Sequence, residues 1–128
     1  MTTPSSAVQS ALSVMDKHII ALNAHDEEAL AATLHFPHIR LSATKFKIWE
    51  TAEDYFTDFK ARAGGSWNHS EFNDIRVLAE SSDKVHLDAE IIRYDVNSQV
   101  INRFRSLWVI IYEGGRWAAK MRSSFATQ

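Results

Sequence analysis

The chain has 128 residues, a net charge of −2, 45% hydrophobic and 23% charged residues, and no cysteine. That length suits one domain, 1–128, able to bury roughly two-thirds of its unfolded surface. The balance excludes a disordered chain and gives no general reason to bind nucleic acid or an anionic membrane. Without cysteine there are no disulfides, thiolate nucleophiles or cysteine metal sites, which fits a cytoplasmic setting. No basic segment followed by an apolar core opens the chain, so no secretory signal is expected. The longest strongly apolar run, 107–112, is too short for a membrane helix.

Val8, Leu12, Met15, Ile19 and Leu22 recur at steps of four and three, which predicts an amphipathic helix over 6–24 with Thr3 or Ser6 as N-cap. Asp26 reads as the next N-cap, with Glu27 and Glu28 in the first turn, where the helix dipole favours acids. This short helix carries Leu30, Thr33 and Leu34 and ends at Pro37. Ile39 with Leu41, and Phe46 with Ile48, suggest two short strands around a turn at 42–45. A third helix starts at Thr51-Ala52-Glu53-Asp54, buries Tyr55, Phe56 and Phe59, and stops at Gly64-Gly65.

Beyond Trp67, stretches 72–79, 84–96, 100–112 and 116–125 read as strands, separated by polar and glycine turns at 80–83, 97–99 and 113–115. Short turns make this an antiparallel meander, and the last two strands are long enough to require bends or bulges. The expected fold is α+β, with three N-terminal helices from Ser6 to Ala63 packed on a strongly curved, mostly antiparallel sheet.

Three local sequences carry a family resemblance. Ala21-Leu22-Asn23-Ala24-His25-Asp26 resembles the helix-to-helix turn of the nuclear-transport-factor-2-like superfamily, with His25 where a glycine is usual. Gly114-Gly115-Arg116-Trp117 and Met121-Arg122-Ser123-Ser124-Phe125 resemble its closing hairpin. The resemblance implies a cone-shaped α+β barrel, a pocket where the cone opens onto the helices, and a homodimer built on the outer face of the sheet. The superfamily holds both enzymes and non-catalytic binding modules, so fold alone does not give function.

The catalytic patterns of the superfamily transfer poorly. In the ketosteroid isomerases, the donor Tyr, base Asp and protonated Asp correspond to His18, about Ser42 and about Trp108, so the carboxylates are missing. Polyketide cyclases of the SnoaL type place an Asp in the later sheet, yet neither 100–112 nor 116–125 contains a carboxylate. Arg93-Tyr94-Asp95 has the Arg-x-Asp spacing of limonene epoxide hydrolase without its second Asp. Scytalone dehydratase uses paired histidines, which points to His69 and His86, but Val85, Leu87, Ala89 and Ile91 form the apolar face of their strand and turn His86 outward. His18 and His69 are therefore the acid/base candidates, with His18 on the flank of the first helix's apolar stripe. His35-x-x-His38 has a chelating spacing broken by Phe36-Pro37, so no metal site is assigned.

The other pocket candidates follow from alternation. With Trp108 inward, Phe104, Ser106 and Ile110 follow it, while Arg103, Arg105, Leu107 and Val109 face out. Met121, Ser123 and Phe125 share a face of the last strand and are assigned to the wall, with Trp49 and Tyr55 capping it. Such a surface suits a mostly apolar or aromatic small molecule with a few polar anchors. The same side chains equally suit a filled core. The bases Arg103, Arg105, Arg116, Lys120 and Arg122, against the single acid Glu113 in 100–125, read mainly as solvated edge charges. The leading expectation is a small-molecule-binding protein without a cofactor motif. The alternatives are a SnoaL-like lyase, isomerase or hydrolase using a pocket histidine, and a non-catalytic dimeric interaction module with Leu107, Val109 and Ile111 at the interface.

Overall fold

A computed structural model describes residues 5–63 and 65–126. Helix α1 spans Ser6–Asn23 and α2 spans Glu27–Ala31; strands β1 (Leu34–Ser42) and β2 (Lys45–Trp49) precede α3 (Ala52–Ala63). Strands β3 (His69–Glu80), β4 (Lys84–Tyr94), β5 (Val100–Glu113) and β6 (Arg116–Ser124) complete the chain. They form one six-stranded sheet in the order β2-β1-β6-β5-β4-β3. All pairings are antiparallel except β1 with β6, which run parallel. Among the described residues, no helix is long and apolar enough to cross a membrane.

The local chemistry explains most boundaries. Ser5, rather than Ser6, caps α1 by accepting from the Val8 N–H at 3.1 Å; Thr3 lies outside the described residues. Asp26 caps α2 through Ala29 N–H at 3.1 Å, and Thr51 caps α3 through Asp54 N–H at 3.2 Å. The expected glycine stop of α3 falls partly on Gly64, outside the described residues. His25, in the usual glycine position, has φ 55° and sits among the rings of Trp67 and Phe56. Gly114 and Gly115 both have positive φ, as the tight turn between β5 and β6 requires.

Three expectations need correction. The second helix ends before Thr33, and Pro37 lies inside β1 rather than terminating a helix. It occupies a register irregularity between Leu34 and Ile39, where a missing ladder donor is tolerated. The buried face of α1 is centred on Ala11, Val14, Met15 and His18, with Leu12 and Ile19 at its edges. Alanines at 7, 11 and 21 have little bulk and let the helix lie close to the sheet, so His18 is central rather than flanking. The third correction concerns the last strand. Val109 pairs with Met121 but Ile110 pairs with Ala119, leaving Lys120 as an extra residue. This bulge reverses the alternation. Ala119 and Arg122 face inward, while Met121 and Phe125 are exposed and Ser123 is half-buried.

The core holds Met15, Leu30, Leu34, Tyr55, Phe59, Leu87, Trp108 and Ile110 between the helices and the concave sheet. The join between α1 and the first meander strand is polar. The Asn23 side-chain amide donates to Ser70 O at 2.8 Å and its oxygen accepts from Ser70 N at 2.9 Å, across 47 positions of sequence. One side chain thus satisfies two backbone groups that would otherwise lose their partners. Asn23→Ala is expected to cost about 1–3 kcal/mol of unfolding free energy, measured by urea titration. A change within error would show that the latch is not needed.

Candidate functional site

The inner face of the sheet brings the site together row by row. In the parallel ladder Arg40 lies opposite Arg122, and Ser42 opposite Ser124. Across β6 and β5, Arg122 pairs with Trp108 and Ser124 with Ser106; one strand further, Trp108 pairs with Leu87 and Ser106 with Ala89. Two parallel rows result. One holds Arg40, Arg122 and Trp108; the next holds Ser42, Ser124, Ser106 and Ala89. The small row leaves space beside the charged one. All of these side chains are buried.

An internal cavity of about 20 Å³ opens against these residues, room for roughly one water-sized group. His18, Phe72, Arg93, Phe104, Trp108 and Arg122 border it, and none of its lining residues is acidic. Arg40 also borders a wider groove of about 360 Å³, which continues past Ser42, Lys45, Lys47, Trp49 and Asp58. In that groove the Trp49 indole N–H donates to Asp58 at 2.7 Å, and Lys47 pairs with the same carboxylate.

The cations are held by aromatic faces. The Arg122 guanidinium lies 5.1 Å from the Trp108 ring centre and 5.5 Å from that of Tyr55. Arg93 lies 4.8 Å from the Phe104 ring centre. These contacts are favourable when desolvated, but they supply no counter-charge. Burial, reinforced by Arg122, pushes Arg93 down to about 10.

Two of the three buried histidines, His18 and His38, are neutral for the same reason. His18 is 2% exposed and held well below the usual imidazole range, first by burial and then by Arg122 and His38. Its Nδ1 lies 2.9 Å from Thr33 Oγ1, whose hydroxyl donates to Leu30 O at 2.7 Å. With the threonine proton committed, Nδ1–H must be the donor, and Nε2 is left as the acceptor nitrogen of the ring. The His38 Nδ1–H donates to Ala119 O at 3.1 Å, and its buried Nε2 has no hydrogen-bond partner among the described residues. Burial, with Arg122 adding to it, pushes His38 down to about 3.

The sequence-derived candidates separate into groups. His18, Phe104 and Trp108 meet at the cavity. Trp49 borders the outer groove, and Tyr55 is packed against His38, Trp49 and Arg122. Ser106 is buried in the small row, its hydroxyl without a partner among the described residues. Met121 and Phe125 turn away from the cavity, contrary to expectation, because of the bulge at Lys120. His69 stacks on Tyr94 at 4.8 Å and bonds Asn68 at the start of β3, away from the cavity lining. Asp95 accepts from Asn97 N and Gln99 N in the turn and does not join Arg93. His35 bonds Ile111 O at 3.2 Å.

Arg40 was missed, Arg122 was read as a solvated edge charge, and Arg93 and His38 were weighed only for an Arg-x-Asp pair and a metal site, because interior positions were sought among apolar residues. The usable signal was alternation of polar residues: His38-x-Arg40-x-Ser42 and Arg122-x-Ser124 are single faces of strands. Of the basic residues in 100–125, only some are surface charges. Arg103 pairs with Glu90 and Arg105 with Asp88 on the outer face, whereas Arg116 donates to Ala32 O and Leu34 O.

The neutral histidines make the fold acid-labile. Between pH 6.5 and about 3 the unfolded chain protonates His38 while the folded chain does not. Stability is therefore full above pH 6.5 and falls as the pH drops, by up to about 1.4 kcal/mol per unit for this group; His18 acts in the same direction. Urea titrations from pH 7 to pH 4.5 are expected to show this slope, reduced in His38→Gln. An unchanged slope in the variant would remove His38 from the account.

No protein-family model matches the chain, and no curated protein sequence is significantly similar to it. Solved structures are similar in fold. A cystatin-like-fold protein of unknown function from Nostoc punctiforme superposes with a TM-score of 0.78 at 11% identity, covering 99% of this chain and 96% of that one. An NTF2-like protein of unknown function from Shewanella oneidensis gives 0.74 at 12% identity, with 93% and 98% covered. An NTF2-like protein from Cytophaga hutchinsonii gives 0.74 at 18% identity, with 96% and 100% covered. Helices packed on a curled six-stranded sheet, together with these neighbours, show that the chain has the nuclear-transport-factor-2-like fold.

Proposed function

We propose that this protein binds a small organic molecule inside the cone, with its head group at the cavity bordered by His18, Arg93, Phe104, Trp108 and Arg122. The observation that carries this reading is a set of buried polar groups without hydrogen-bond partners among the described residues: Arg122 Nε and Trp108 Nε1 at the cavity itself, and Ser106 Oγ, Ser42 Oγ and Tyr55 OH in the interior around it. Each such group costs about 1–3 kcal/mol if left unpaired. A core serving stability alone has no use for several of them in neighbouring rows. A bound molecule supplies partners, and the aromatic walls suit an apolar or aromatic body. His18, neutral with Nε2 as its acceptor nitrogen, is the group available to accept a hydrogen bond or a proton in a SnoaL-like reaction. The lack of cysteine fits a cytoplasmic setting.

The test is a thermal-shift screen with small aromatic compounds, neutral and charged, followed by tryptophan fluorescence. At least one compound is expected to raise the melting temperature saturably, with the effect lost or reduced at least tenfold in Trp108→Leu. A panel in which no compound shifts the native protein would end this reading.

A second reading, compatible with the first, is a homodimer through the outer sheet face. Phe46 is 65% exposed, Ile48 47%, Leu41 41%, Met121 39% and Phe125 72%. Register joins them: Leu41 faces Phe46, Ile39 faces Ile48 and Met121, and Met121 faces Val109. Contiguous apolar strand surface of this kind marks association sites, and Leu107 and Val109 extend it. Sedimentation at micromolar concentration is expected to give a dimer that Phe46→Glu dissociates. A monomeric native protein would rule the interface out.

A further inference from the structure

The arginines at the cavity specify the charge of what it holds. We infer that the ligand is a small organic carboxylate, its anionic head clamped by Arg93 and Arg122 and its apolar body lying against aromatic and aliphatic wall. This rests on the small-molecule reading above and adds the ligand's chemical class.

Geometry comes first. Arg122 is 8% exposed, occupies the middle of the inner face, and stands directly opposite Arg40 in the parallel ladder. Like charges opposed across a ladder are unfavourable even at a surface, and burial strengthens the repulsion. Arg93 reaches the same cavity from β4. Among the described residues, neither Arg93 nor Arg122 takes part in a salt bridge. The contrast with the outer face is direct, because Arg103 and Arg105 there each pair with a carboxylate one strand away. Among the described residues, the chain therefore provides counter-charges on the outer face, where water already screens them, and no salt bridge to Arg93 or Arg122. A buried cation without a partner costs several kcal/mol, and an anion entering the cavity offsets that cost.

The head group is narrowed by shape and donors. A guanidinium presents its N–H donors in a planar fork that matches a carboxylate. Phe104, Trp108 and Tyr55 lie against the cations but carry no carboxylate to match that fork. The cavity, at about 20 Å³, admits only a compact head without displacement, which favours a carboxylate over a bulkier tetrahedral phosphate. Ser124 and Ser70 border it as secondary polar groups. The body then runs along Ile19, Leu22 and Phe59. Room for it comes from movement of Phe59 on α3, a helix that packs chiefly on α2 and β2.

The experiment compares benzoate with benzamide, its neutral near-isostere, and with inorganic phosphate, by calorimetry and thermal shift on the intact protein. Benzoate is expected to bind saturably, benzamide at least tenfold more weakly, and phosphate to leave the melting temperature unchanged. Arg93→Gln and Arg122→Gln are each expected to weaken benzoate at least tenfold without changing benzamide; two variants guard against one failing to fold. Arg122→Met is expected to melt no lower than the native protein without ligand, an outcome that a purely structural arginine would reverse. Equal binding of benzamide and benzoate, or unchanged benzoate affinity in both glutamine variants, would overturn the carboxylate while leaving the small-molecule reading intact. Phosphate protecting as well as benzoate would overturn it in favour of a phosphate-bearing ligand. If no compound in either screen binds, both inferences fall together.

Discussion

The parallel seam between β1 and β6 is the constraint on which the rest of the molecule depends. It joins the first pair of strands to the meander, and its register sets Arg40 against Arg122 and Ser42 against Ser124. Because parallel partners point to the same face, the polar groups of both strands are committed to the interior together. The aromatic residues then arrange themselves around that charge: Trp108 and Tyr55 flank Arg122, Phe104 covers Arg93, and Trp49 stacks beside His38. Elsewhere the sheet follows the ordinary rule. On β4 Val85, Leu87, Ala89 and Ile91 are buried, while His86, Asp88 and Glu90 face outward. The molecule thus joins a conventional half-sheet to an inverted one.

Electrostatics inside the inverted half are self-consistent. Burial and the neighbouring guanidiniums keep His18 and His38 neutral, so the histidines add hydrogen-bonding capacity without adding charge. A protonated imidazole there would join two cations, of which Arg93 is already pushed down by burial and by Arg122. The polar atoms are thereby divided by type: arginine and indole N–H as donors, the imidazole Nε2 atoms as acceptors, and hydroxyls able to do either.

Much of the fold was legible because it depends on local signals. The caps at Asp26 and Thr51, the glycine turn at Gly114-Gly115 and the alternation on β4 and β5 each act over a few residues. Of the site, Trp108, Phe104 and His18 were legible, since they stand in apolar stripes. The arginines were not, because hydropathy assigns a charged residue to solvent and only a tertiary environment can override it. Met121, Ser123 and Phe125 were misassigned for a different reason. A bulge is one residue long, and nothing around Lys120 announces it. Strict alternation carried past it gives the wrong face for everything downstream.

The alternation of β1 and β6 also divides the chain for change over time. Even-numbered positions here, 38, 40, 42, 122 and 124, point to the interior, while their odd-numbered neighbours 39, 41, 121 and 123 lie on the outside. A substitution at an even position alters the polar interior and leaves the outer surface as it was. One at an odd position alters what the outer surface meets and leaves the cavity alone. Two properties written on interleaved letters of the same short segments can therefore drift separately, provided the register that keeps them apart is preserved.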